Sequence, residues 1–278
     1  LKSASLELKT NPDETLQIAA YRWNWAPRSD EITANDFEPL SRLVEAVNTS
    51  EPDLYLSRVQ SLVDIEQWMR TFAVEHIVGN WDSYGYGNGQ NMYAYKPTNG
   101  KWQLMIWDLD IGNGTGESAR TPLFKLTNPF FPEVNGDTKI VSTMFQTPAF
   151  ERAHWRAILD AVNGPMQENR VDQFLTTRFE KLRTAIGGNR PTSPRSISRY
   201  TQQRRDYLLG LLDRLETEFR ITSAPLGDTA ITTEQNSLIV TGTAPINLIS
   251  IRVNGIVHQP TWTDTTEWEL AIPLKREQ

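Results

Sequence analysis

The chain contains no cysteine. Disulfides and thiolate metal sites are therefore excluded, while the compartment stays open. Histidine is nearly absent as well. His76, His154 and His258 lie far apart and form no ligand spacing such as H-E-x-x-H. Positive charge is modest: 28 Lys and Arg against 34 Asp and Glu leave a net charge of −6. With no basic block either, nucleic acid is not an expected partner. No apolar run approaches the length of a membrane span. The G-x-S-x-G elbow of a serine hydrolase is missing. The chain opens on Leu1 with no cleavable leader, so a fragment or a processed form is expected.

What is present is a chain of 278 residues, 38% of them hydrophobic, enough for one large core and a small second module. Residues 5–9 read as a short strand. Asp36 precedes a helical stripe of Leu40, Leu43, Val44 and Val47. A stronger helix covers 65–78, with Asp64 and Gln67 at capping-box spacing. Its stripe is Ile65, Trp68, Met69, Phe72, Ala73, His76 and Ile77, and His76 reads there as a hydrogen-bonded core residue. Three further helices open at Thr147-Pro148, carry Val171, Phe174, Leu175, Phe179, Leu182 and Ile186 as far as Gly187-Gly188, and start at Ser193-Pro194. Their stripes are expected to be core. After 223–227 the period changes to two, with Asn254-Gly255 as a hairpin turn. The expected organisation is a first domain over 1–222 and a small β-sandwich module over 223–278 that ends before its last strand.

The chemistry concentrates in QLMIWDLDIGNG, residues 103–114. On a strand, Asp108 and Asp110 face the same way about 6.6 Å apart. Two such carboxylates repel unless a cation sits between them. Residues 91–96 and 101–110 read as a hairpin around Asn99-Gly100. A two-residue loop sets Tyr95 opposite Leu104, Tyr93 opposite Ile106 and Asn91 opposite Asp108. A four-residue loop keeps Asn91 and Asp108 on one face, whereas a one-residue slip separates them. Oxygen ligands from Asn91, Asp108 and Asp110 suit Mg²⁺, Mn²⁺ or Ca²⁺ rather than zinc. The string is no EF-hand, because its fifth and twelfth positions are Gly112 and Ala119. Asp82 follows the 65–78 helix and precedes the loop to Asn91. A loop carboxylate, then an Asn, then a hairpin ending in Asp is the chain order of a protein-kinase active site.

Residues 76–114, HIVGNWDSYGYGNGQNMYAYKPTNGKWQLMIWDLDIGNG, resemble the core of the CotH (spore-coat protein H) kinase family of atypical secreted protein kinases. The likeness covers 1–220, including the helix with Arg204-Arg205-Asp206-Tyr207-Leu208-Leu209. It rests on Asn80-x-Asp82, Asn91-x-Tyr93 and Trp107-Asp108-x-Asp110 in that order. The resemblance implies an α+β, atypical protein-kinase-like fold, mostly its helical C-lobe with a β-hairpin active site. It also implies ATP-dependent phosphorylation of Ser or Thr on a secreted or cell-surface protein, hence an extracellular or cell-envelope location. By the same resemblance Asp82 matches the catalytic-loop Asp and Asp108 the metal-binding Asp, with Asp110 beside it. Trp102 matches an aromatic that stacks on adenine, and Tyr93 joins it at the nucleotide; the hairpin geometry, more than the motif, makes Asn91 the expected second Mg²⁺ (or Mn²⁺) ligand. The sequence departs from the kinase pattern in three places. No His stands two residues before Asp82, Asn91 follows it by nine positions, and Lys2 and Lys9, the only lysines ahead of the 65–78 helix, lie in no V-A-I-K context. The N-terminal lobe is therefore expected to be incomplete. The competing expectation is a non-catalytic surface or spore-associated binding protein whose carboxylates hold a structural Ca²⁺.

Overall fold

The computed structural model describes residues 4–28, 36–123, 138–186, 192–223 and 235–274. The chain is α+β and divides into two compact units, residues 1–207 and 208–278. The first is built from helices α1 (Ile18–Asn24), α2 (Glu38–Val47), α3 (Pro52–Leu62) and α4 (Ile65–Val78). A two-stranded antiparallel hairpin follows, β1 (Met92–Tyr95) and β2 (Gln103–Ile106). Then come α5 (Thr138–Phe145), α6 (Pro148–Asn163), α7 (Glu168–Ile186) and α8 (Arg195–Leu212), the last crossing into the second unit.

α4 is the axis of the first unit. Asp64 caps it by accepting the Gln67 N–H at 3.2 Å. The expected reciprocal capping box does not close. Gln67 instead grips both backbone groups of Leu104 in β2, donating to its carbonyl at 2.5 Å and accepting its N–H at 2.9 Å. The Asp64 N–H and the Trp68 indole both donate to the Trp102 carbonyl, each at 3.0 Å. The hairpin is therefore fastened to α4 along its second strand. Around these bonds packs one core that includes Leu6, Leu43, Val44, Val59, Trp68, Met69, Phe72, Leu104, Val141 and Phe150.

Three expectations change, and one lies outside the described residues. Residues 5–9 form no strand; Ala4 donates its N–H to the Gly89 carbonyl and the segment runs irregularly. The Gly187-Gly188 helix end lies outside the described residues. No residue of α7 is buried, and Phe174 is 59% exposed; a period of 3.6 marks an apolar face but does not supply a partner for it. The hairpin register also differs, for a reason visible in its turn. Tyr95 pairs with Gln103, Tyr93 with Met105 and Met92 with Ile106. Gly100 donates to the Pro97 carbonyl at 3.1 Å, and neither Asn99 nor Gly100 takes a positive φ. Pro97 to Gly100 thus form a type I-like turn with Gly last, not a two-residue primed turn centred on Asn-Gly.

In the second unit the other Asn-Gly does make the primed turn. Asn254 and Gly255 have φ of 48° and 83°, joining β5 (Ile251–Val253) to β6 (Ile256–His258). The remaining strands, β3 (Arg220–Ile221), β4 (Ser237–Thr243), β7 (Thr261–Trp262) and β8 (Glu267–Pro273), form one antiparallel sheet ordered β3-β4-β8-β7. Its small core is Val240, Ala244, Trp268 and Leu270, with Phe219 stacked on Trp268 at 5.6 Å.

Trp68 is fully buried and joins core packing to the hairpin bond. Trp68→Ala should lower the unfolding free energy by about 3–5 kcal/mol, measured by urea denaturation.

Candidate active site

The last turn of an α-helix leaves its carbonyls without intrahelical partners. At the end of α4 each of these carbonyls holds another part of the chain. The Glu75 carbonyl takes the N–H groups of Gly79 and Asn80, the latter at 3.0 Å, with Gly79 left-handed at φ 70°. The His76 carbonyl accepts from Arg204 at 2.6 Å, the Ile77 carbonyl from the Tyr200 hydroxyl at 3.1 Å, and the Val78 carbonyl from the Asn113 N–H at 2.6 Å. Arg204, fully buried, also donates to the Ala119 and Thr121 carbonyls at 3.1 and 2.5 Å. The turn after Asp110 and the face of α8 are thereby tied to the segment that leads into Asp82. Gly79 is required at its position, since a Cβ there would lie 2.6 Å from the Tyr200 oxygen.

Asp82 follows three residues after Gly79. Its two carboxylate oxygens take separate donors, Asn88 Nδ2 at 2.5 Å and Asn91 Nδ2 at 2.8 Å. Asn91 Nδ2 also donates to the Asp82 carbonyl at 2.7 Å. With its nitrogen occupied in this way, the amide oxygen of Asn91 is the atom left to accept or to ligate. Partial burial raises the Asp82 carboxyl above its ordinary range. The Asn91 and Asn88 hydrogen bonds oppose that rise, and the carboxylates of Asp108 and Asp110 add to it. Both acidic positions thus lie within electrostatic reach of Asp82.

They do not reach it by the route that the pleat predicts. In the observed register Asn91 lies opposite Trp107, whose N–H donates to the Asn91 carbonyl at 3.1 Å. The ladder stops at Ile106, so Asp108 and Asp110 are not on a strand and do not share its alternation. Asn91 and Asp108 both adopt left-handed backbone, φ 55° and 56°, where Asn and Asp are the non-glycine residues best tolerated. The two chains leave the ladder there, and Asn80 Nδ2 meets the Asp108 carbonyl at 3.4 Å.

The slip also sorts the aromatics. Tyr93, Tyr95, Gln103 and Met105 share the outer face, and Tyr93 meets Trp107 edge-on with centroids 5.5 Å apart. Met92, Ala94, Trp102 and Leu104 face the core. Trp102 therefore lies on the covered side of the hairpin. Trp107, 57% exposed and absent from the expected set of site residues, stands beside Tyr93; its signal in the sequence was its place directly before Asp108.

Behind the site, Glu75 and His76 are fully buried. Burial raises the Glu75 carboxyl to about 8, against the Gly85 N–H that favours its anion. Burial lowers the His76 imidazole to about 3. His76 is the core residue that its stripe implied, bonded at 3.0 Å to both His154 and the Gly85 carbonyl.

Asp108 and Asp110 are exposed, and neither carboxylate has a hydrogen bond or ion pair with a described residue. Among the described residues no three His, Asp or Glu side chains gather closely enough to cage a metal. The donors present fit a hard cation held by one or two carboxylates and an amide oxygen, with its other ligands from phosphate or water. Among the described residues no helix is long and apolar enough to cross a membrane.

A family model described as CotH kinase protein matches residues 9–208, and the chain belongs to the CotH kinase family. No curated protein matches the chain.

The raised carboxyl of Glu75 has a thermodynamic consequence. Between its unfolded value of 4.5 and its folded value of about 8, the unfolded chain loses this proton and the folded one keeps it. Stability therefore falls as pH rises through that window, by up to roughly 1.4 kcal/mol per pH unit from this group alone. Glu75→Gln should remove that slope. Urea unfolding at pH 5, 6, 7 and 8 measures it.

Proposed function

We propose that this member of the CotH kinase family is a protein kinase with a kinase-like C-lobe, transferring the γ-phosphoryl group of ATP to a Ser or Thr hydroxyl of a secreted or cell-surface protein. The observation that carries the reading is Asp82, held by Asn88 and Asn91 beside the carboxylates of Asp108 and Asp110. The order of α4, Asp82 loop, Asn91, hairpin and Asp108 supports it, since these parts perform phosphoryl transfer in kinases.

In this reading each Asp82 oxygen carries one amide bond and keeps an acceptor site for the substrate hydroxyl. The hydroxyl oxygen attacks the γ-phosphorus, the bond from that phosphorus to the β–γ bridging oxygen breaks, ADP departs, and the hydroxyl proton passes to Asp82. Raising the carboxyl makes it the better base, and the two amides hold it in one orientation. Asp108 and the Asn91 amide oxygen would hold Mg²⁺ or Mn²⁺, with Asp110 beside them. A bound divalent ion would neutralise charge on the phosphates. The Tyr93 and Trp107 rings offer an exposed aromatic face for the adenine base, next to Asn91. Trp102, on the covered side, would support that strand from behind.

Calorimetry with MgATP tests the reading. The unmodified chain should bind in the micromolar range and Asp108→Ala should abolish binding. Asp82→Asn should keep nucleotide affinity while lowering phosphoryl transfer by about 10²–10⁴-fold, the usual worth of a positioned general base. Stabilisation by Ca²⁺ with no nucleotide effect would overturn this in favour of a structural-ion protein.

A further inference from the structure

Gly85 lies in the loop between Asp82 and Asn91, and its peptide groups are held by two side chains rather than by a ladder. Its N–H donates to Glu75 Oε2 at 2.8 Å, and its carbonyl pairs with His76 Nε2 at 3.0 Å. The two partners are consecutive on α4. Because a carbonyl only accepts, His76 carries its proton on Nε2. Its Nδ1 then accepts from His154 Nε2 on α6, 3.0 Å away. His76 is thus a neutral donor locked in one tautomer. The fit leaves no room for a side chain: a Cβ on Gly85 would lie 2.4 Å from Glu75 Oε2 and 3.2 Å from the Phe72 backbone.

The same loop is a single short unit. Tyr84–Tyr86 form one 3₁₀ turn closed by the left-handed Gly87. The Asn88 N–H returns to the Ser83 carbonyl at 3.2 Å, and the Ser83 hydroxyl donates to the Asn80 carbonyl at 2.7 Å. Tyr84 packs edge-on against Trp68, and Tyr86 against His76 at 4.7 Å. Out of this unit emerges Asn88, buried, with its amide on Asp82. Any movement of Gly85 relative to α4 passes along this turn to Asn88 and Asn91.

We propose that Glu75 and His76 are positioning residues for Asp82: by gripping the N–H and C=O of Gly85 they set the loop whose Asn88 and Asn91 amides orient the Asp82 carboxylate. Neither residue touches substrate. The inference rests on the function proposed above for Asp82, and both grips act on the path of the hydroxyl proton through the two amides. Loss of a grip should therefore show in kcat, because a displaced base costs rate steeply.

The experiment compares Glu75→Leu, which removes the acceptor, with Glu75→Gln, which keeps an oxygen in its place. Glu75→Leu should lower kcat by at least ~10-fold, and Glu75→Gln should recover most of the loss. NMR supplies a readout independent of turnover. The side-chain amide signals of Asn88 and Asn91 should be dispersed and slow to exchange in the unmodified protein and in Glu75→Gln, and collapse toward free-amide positions in Glu75→Leu. Folded Glu75→Leu with unchanged amide signals and unchanged kcat overturns the proposal. If Glu75→Leu does not fold, native-state hydrogen exchange on the unmodified chain decides. The Gly85 amide and the Asn88 and Asn91 side-chain amides should open with one common free energy, and independent opening overturns the proposal. An unmodified chain that neither binds MgATP nor transfers phosphate refutes the kinase reading alone, because the amide signals still judge the clamp.

Discussion

The structure of the first unit depends on how the C-terminal end of α4 satisfies its carbonyls. Each of the four carbonyls from Glu75 to Val78 would cost on the order of 1–3 kcal/mol if buried without a donor. Instead, they recruit Gly79 and Asn80, Arg204, the Tyr200 hydroxyl and Asn113. These donors come from the Asp82 approach, from α8 and from the turn after Asp110. One helix end thus gathers the two acidic loops that a long stretch of sequence separates. A charged Arg204 is an efficient partner for this purpose, since its planar head can serve three carbonyls at once.

The region behind Asp82 trades stability for placement. Glu75 and His76 are both fully buried and both pushed toward their neutral forms. Apolar residues of similar volume would pack there at lower desolvation cost. What the polar pair supplies is direction, because hydrogen bonds to both backbone groups of one glycine leave its loop a single arrangement. Backbone strain sits in the same place. Asn91 and Asp108 take left-handed φ where the hairpin ladder ends, and each stands at a position where chemistry is proposed.

The two Asn-Gly pairs show how local chemistry is filtered by its surroundings. Asn254-Gly255 forms a primed two-residue turn because the flanking Val253 and Ile256 pair directly. Asn99-Gly100 follows Pro97, which closes a different turn and moves the register by one residue. That single step exchanged the faces of the second strand relative to the first. It put Trp107 beside Tyr93 and turned Trp102 to the core.

Much of this protein was legible in its sequence. The stripe of α4, its Asp64 cap, the place of His76, the helical middle of the chain and the later change to period two all follow from residue spacing, which is local. The residues 76–114 carried the family likeness, and the order Asp82, Asn91, Asp108 marked the candidate site. Helices α1 and α3 were not legible, since no capping side chain marks the start of α3 and α1 has a single buried residue, Tyr21. Nor were the bonds from Asn88 and Asn91 to Asp82, the grip of Glu75 and His76 on Gly85, or the reach of Arg204 from α8. Spacing along the chain determines which face a residue belongs to. Only tertiary structure decides which distant donor a buried carbonyl or carboxylate finds, because that choice is made by packing, where every unpaired polar group carries a cost.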